Sequence, residues 1–156
     1  MPIIDESNAV KLVYHRSSCK LDVSLHGKTT TVSTVSTKGE DETQENGPTP
    51  LSSYIVDKHQ IHDDHRIDWF NLHQKMPPQE GNGYYGYGQT WNSRLDHGVR
   101  RNGMGLHPGI ISYGCVTVVK SQWQMIIDML KQGDLSYIGS NGKPQSFAGT
   151  LTIIDN

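Results

Sequence analysis

Apolar and polar residues alternate through Val10 to Tyr14 and again through Lys20 to Leu25. The turn pair His26-Gly27 then leads into a β-branched run, Thr29 to Thr37. A period of two turns one face of each segment toward a core, so the first third predicts a meander of antiparallel strands. The stretch "KGEDETQENGPTP", Lys38 to Pro50, is polar and turn-rich and has almost nothing to bury. It predicts an exposed loop, after which "LSSYIVD" resumes a strand.

Residues 58 to 80 are polar and His-rich around one apolar patch, "IDWFNLH", and "EGNGYYGYGQTWN" carries too much glycine for a regular helix. Both predict irregular segments near a site. One stretch has helical spacing: Trp123, Ile126, Ile127 and Leu130 stand at i, i+3, i+4 and i+7, with Ser121 as the expected N-cap and Gly133 as the stop. Beyond it, "LSYIG" and "FAGTLTIID" predict closing strands around an "NGKP" turn. The pattern adds up to a mostly β fold, a β-sandwich or mixed sheet with one substantial helix at about 121–132.

A chain of 156 residues with 34% hydrophobic content supports one modest core, so residues 1–156 are expected to form a single domain. The net charge of −2, with no local Lys/Arg run, argues against nucleic acid as a partner. No apolar stretch approaches the roughly 20 residues that span a bilayer, so no membrane insertion is expected. "MPIIDESNAVKLVYHR" has neither a basic nor an apolar targeting region. The expectation is synthesis as a soluble cytoplasmic chain, with any extracellular action depending on a dedicated secretion route or carrier. Cys19 and Cys115 stand too far apart in sequence to form a recognisable disulfide framework, and Cys19 reads as a structural thiol.

Candidate chemistry concentrates in "GLHPGIISYGCVTV", residues 105 to 118. A thiolate attacks carbonyl carbon directly, but an ordinary cysteine pKa of about 8.5 leaves little of it ionised, so a base must stand near. His107 precedes Pro108-Gly109, a turn pair that would fold the chain back and bring His107 to Cys115 across two short antiparallel strands. Gly114 leaves room for a substrate, and the amides of Gly114 and Cys115 would face a developing oxyanion. Equally open on composition is a packing role, with Cys115 starting a buried strand "CVTVV".

The same segment resembles the signature of the L,D-transpeptidase (YkuD-type) catalytic domain. In that family a glycine, an apolar residue and a histidine lead into a loop ending Ser/Thr-His-Gly-Cys, and here "GLH" and "SYGC" take those places. A second element is similar to the family's Thr-Pro-x-Gly-x-Tyr/Phe-x-Ile, with Thr49, Pro50 and Tyr54 in register and Ser52 at the glycine position. The resemblance implies Cys115 as nucleophile, His107 as base, Gly114 and Cys115 as oxyanion donors, and Ser112 shaping the loop. The Pro108 carbonyl or a nearby group would hold the second ring nitrogen of His107. It further implies a thioester route on the tetrapeptide stems of peptidoglycan, with no cofactor and no metal.

Three departures mark the match: Tyr113 replaces the second histidine, the loop from His107 to Ser112 is short, and Thr117 stands where arginine often follows the cysteine. Together with the missing export signal, they make the chain similar to the L,D-transpeptidase-like antibacterial effectors of type VI secretion. That likeness implies action in a target cell's periplasm, a secretion-system carrier and an immunity protein.

Several residues compete for roles. His97 is a rival base, though "LDHGVRRNG" around it reads as a turn. Arg101, with Arg100 as second choice, suits a terminal carboxylate of a peptide stem. Tyr113 and Pro108 are further substrate contacts, as is Tyr87, which with Tyr84 and Tyr85 would form an aromatic lid; Trp69 and Trp91 read as core. The alternative to thiol chemistry lies in "HQIHDDHR", where His59, His62 and His65 recur every three residues beside Asp63 and Asp64. One helical face carrying them would suit a divalent metal, in a metal-dependent hydrolase or a non-catalytic metal-binding module. The bland reading of the same residues is a solvated loop.

Overall fold

The computed structural model describes residues 3–37, 49, 51–63, 66–74, 90–91, 100–101, 105–112, 114–138 and 144–156. The predicted meander is present: β2 (Val10–His15), β3 (Lys20–Leu25) and β4 (Lys28–Ser33) pair antiparallel in sequence, with His26 and Gly27 both at positive φ in the turn between β3 and β4. The strand β1 (Ile3–Asn8), which the sequence pattern does not announce, belongs to a separate small sheet.

The main sheet continues through β5 (Ser53–Val56), β7 (Asp68–Gln74), β10 (Gly105–Gly109), β11 (Val116–Val119) and β14 (Gly149–Ile154). Its order is β11-β10-β7-β5-β14-β2-β3-β4, with the short β6 (Gln60–Ile61) also on β7. Beyond β4 the chain reaches the opposite edge: Thr34 bridges Val118, and the Val35 N–H donates to the Thr117 carbonyl at 2.8 Å. The fold is mostly β, and the mixed sheet curls until its two edges nearly meet. Inside lie Leu12, Val23, Tyr54, Phe70, Leu72, Leu106, Val118 and Leu151.

The helical segment is present but divided. A 3-10 helix, Lys120–Met125, turns at Ile126 into α1 (Ile127–Gln132). Trp123, Ile126, Ile127 and Leu130 are all buried in the main core, as their spacing predicts. Ser121 does not cap it: the residue preceding the 3-10 turn is Val119, and no side-chain cap bond forms at either start. Gly133 does end α1, though in an extended conformation rather than the left-handed one. A side chain there would collide with the Ala148 carbonyl and with Val10, so close packing rather than backbone freedom demands glycine.

Two further expectations are corrected. "IDWFNLH", expected to be irregular, forms the interior strand β7. It is buried on both faces and therefore lacks the alternation that marks a half-buried strand. "FAGTLTIID" divides at Ala148: β13 (Pro144–Phe147) joins β12 (Asp134–Ile138) and β1 in the small sheet, while β14 enters the main sheet parallel to β2. Leu135 of the small sheet packs with Ala9 and Ile55, with Phe147 against them. Among the described residues, no helix is long and apolar enough to cross a membrane.

Candidate active site

His107 lies in β10 and Cys115 immediately precedes β11, and these adjacent strands are parallel, not antiparallel as expected. Leu106 stands opposite Val116 and His107 opposite Thr117, and Pro108-Gly109 lies inside β10 instead of turning the chain. Pro108 is tolerated because β10 pairs with β7 only at Gly105 and Leu106, so its missing N–H falls beyond that ladder.

Side-chain alternation sends Leu106, Val116 and Val118 into the core and His107 and Thr117 to the other face. Cys115 immediately precedes β11, whose first residue, Val116, stands opposite Leu106.

Geometry assigns the tautomer of His107. Nδ1 lies 2.8 Å from the Pro108 carbonyl oxygen, which only accepts, so Nδ1 carries the proton. Nε2 is left as the acceptor, and the hydroxyl of the fully buried Thr117 donates to it at 3.3 Å. The Pro108 carbonyl thus holds the second ring nitrogen of the histidine, one of the partners the resemblance implies. Trp69 stacks on the imidazole, with ring centroids 4.8 Å apart and planes 6° from parallel. The indole needs the space over Gly105, where any side chain would overlap its ring, and its Nε1 donates to Asn71 Oδ1 at 2.8 Å. Trp69 is buried as expected of a core residue, yet its ring belongs to the site.

The cysteine loop is clamped from within. Ser112 Oγ donates to the Cys115 carbonyl at 2.8 Å and accepts from the Gly114 N–H at 3.4 Å. Gly114, with φ +129, takes a backbone conformation that glycine alone adopts readily. Its N–H, expected to face an oxyanion, is directed at Ser112 in this state. From the upstream element, buried Thr49 donates its hydroxyl to the Gly114 carbonyl, and Ser112 bridges Thr37. Arg16 in turn donates to the Thr49 carbonyl at 3.2 Å and approaches Asp155 at 3.5 Å. Arg16 and Asn71 carry no local motif that marks such contacts, whereas Thr49 stands in the family element and Thr117 at a departure from the family pattern.

Of the remaining candidates, Arg100–Arg101 form β9 against β8 (Thr90–Trp91), with β8 next to β7. Tyr113, Tyr84, Tyr85, Tyr87 and His97 lie outside the described residues. Neither cysteine is in a disulfide, and Cys19 Sγ lies 3.4 Å from Ser36 Oγ.

The histidine cluster is not a helical face. His59 Nε2 is bonded to Asp68 Oδ1 at 2.6 Å, while the His62 ring tilts against Trp69 with centroids 4.4 Å apart; His65 lies outside the described residues. Asp68 Oδ2 accepts from Trp123 Nε1 at 2.9 Å. Burial alone would raise the Asp68 pKa, but the bonds from His59 and Trp123 outweigh it and hold the carboxyl below the ordinary range. Among the described residues, no three His, Cys, Asp or Glu side chains gather as a metal site.

No protein-family model, curated protein or solved structure matches the chain.

Proposed function

We propose that the protein is a cysteine-dependent peptidoglycan-modifying enzyme of the L,D-transpeptidase type, acting on tetrapeptide stems as an antibacterial effector. The observation that supports this reading is the setting of His107: its Nδ1 faces the Pro108 carbonyl and its Nε2 the Thr117 hydroxyl, on a strand paired with β11, which begins one residue after Cys115. The substrate class and the effector role rest on the sequence resemblance.

In the proposed reaction His107 Nε2 exchanges the long Thr117 bond for the Cys115 thiol proton. The thiolate adds to the carbonyl carbon of the scissile amide, and the oxygen becomes an oxyanion facing the Cys115 and Gly114 amides. The 3.4 Å bond from Gly114 to Ser112 is weak enough to be given up for it. Collapse breaks the C–N bond, and the amine leaves with the proton from His107. Water, or the amine of an incoming D-amino acid, then attacks the thioester. It gives a proton to His107, which returns one to the departing thiolate. Trp69, stacked on His107, favours the imidazolium formed in between.

The test is expression in a susceptible Gram-negative bacterium with and without a periplasmic signal peptide, followed by mass spectrometry of the digested sacculi. Periplasmic protein is expected to cause lysis with shortened or exchanged stems, and cytoplasmic protein or Cys115→Ala to cause neither. Unaltered stems, or toxicity that survives Cys115→Ala, refute the proposal.

A further inference from the structure

The Gly114 carbonyl and the Cys115 N–H belong to one peptide unit. A trans peptide is planar, so these two groups point in opposite directions and turn together. The carbonyl end accepts the hydroxyl of Thr49, which is 1% exposed. Thr49 is itself held from behind by Arg16, whose guanidinium bonds the Thr49 carbonyl at 3.2 Å and lies 3.5 Å from the Asp155 carboxylate. The Cys115 N–H is therefore aimed away from the Thr49 side of the loop.

Gly114 makes this anchor necessary. At φ +129 and without a Cβ, it leaves the following peptide able to rotate at little steric cost. The Ser112 clamp bonds the Gly114 N–H and the Cys115 carbonyl, both outside that peptide unit, so it does not determine which way the unit faces.

We infer that Thr49 is a positioning residue that orients the Gly114–Cys115 peptide so that the Cys115 amide serves as oxyanion donor, with Arg16 holding Thr49 in place. The inference rests on the thiol chemistry proposed above and adds to it a device for setting the oxyanion hole. Rotating the peptide would present a carbonyl oxygen to the developing negative charge, leaving the thiol in place but unable to complete acyl transfer.

Two reactions of the same thiol separate orientation from folding. Acylation by p-nitrophenyl acetate passes through a tetrahedral oxyanion, whereas alkylation by iodoacetamide is a direct displacement at carbon and forms none. Both rates are measured as the difference from Cys115→Ala. Thr49→Val, which keeps the shape and removes the donor, is expected to slow acylation about 10²-fold and to leave alkylation within about twofold. Thr49→Ser restores acylation to within about fivefold of the parent, because it returns the hydroxyl. Arg16→Gln keeps the Thr49 hydroxyl but loosens its backbone, and should give a smaller acylation loss of about fivefold with alkylation again unchanged.

Equal slowing of both reactions, or no slowing of acylation, in Thr49→Val overturns the inference. Should Thr49→Val fail to fold, Thr49→Ser and Arg16→Gln decide it by the same two rates. A parent protein that shows no Cys115-dependent acylation overturns the thiol function itself, whereas normal acylation in Thr49→Val overturns only the role of Thr49.

Discussion

Asp68 and Trp69 are consecutive on β7 and serve its two faces in opposite ways. Asp68 points toward the helix and holds His59 and Trp123 through its two carboxylate oxygens. Trp69 points outward and stacks on His107, whose ring nitrogens meet a backbone carbonyl and a hydroxyl. A carboxylate partner ties the histidine into the fold. The Pro108 carbonyl facing Nδ1 leaves Nε2 of His107 as the ring's acceptor nitrogen. The same residue type is thus a strut on one face and a candidate base on the other.

The largest effects come from removing each histidine's role in turn. His107→Gln is expected to lower turnover on peptidoglycan at least about 10³-fold while the urea midpoint barely moves. Asp68→Ala should do the reverse, destabilising the fold by about 3 kcal/mol because the Trp123 indole N–H and His59 lose their acceptor. Its turnover, measured where the variant is fully folded, stays within about threefold of the parent. A catalytic collapse in Asp68→Ala without loss of stability would erase the distinction between the faces.

Next in size is the pH response of stability. Asp68 has a lowered pKa, so its contribution is present above the unfolded value of about 3.9 and disappears as pH falls through the lower folded value. The His15 pKa is raised by its bond to Asp22 and then by Asn156. Its contribution is full below about 6.5 and is lost as pH rises through the higher folded value. Urea midpoints against pH should therefore fall at the acid end, a fall that Asp68→Asn flattens. A shallower fall at the alkaline side should be flattened by His15→Asn. Unchanged profiles in both variants would show these bonds to be energetically silent.

The smallest effect is expected from His59→Gln, His62→Gln and His65→Gln together, with activity within about threefold and no loss in EDTA. Iodoacetamide, by contrast, should inactivate the parent. Inactivation by EDTA and resistance to iodoacetamide would move the chemistry to the His-rich segment.

The sequence by itself determined the local parts: β2, β3, the turn that follows it, and the buried positions of the helix. Each is written in a period of two or 3.6, or in a short motif, and so is readable within a few residues. Tertiary structure alone decided that β7 is an interior strand, since burial on both faces removes the alternation that would have marked it. It also decided the parallel pairing of β10 with β11, because the alternation within two neighbouring strands does not say whether they run the same way. The contacts of the site follow the same rule. Thr49 meets Gly114 across 65 residues, Trp123 meets Asp68 across 55, and Trp69 finds its place over Gly105 only once β7 and β10 are side by side. Periodicity encodes which way a side chain faces, whereas its neighbour depends on how the sheet closes, and that closure is a property of the whole chain.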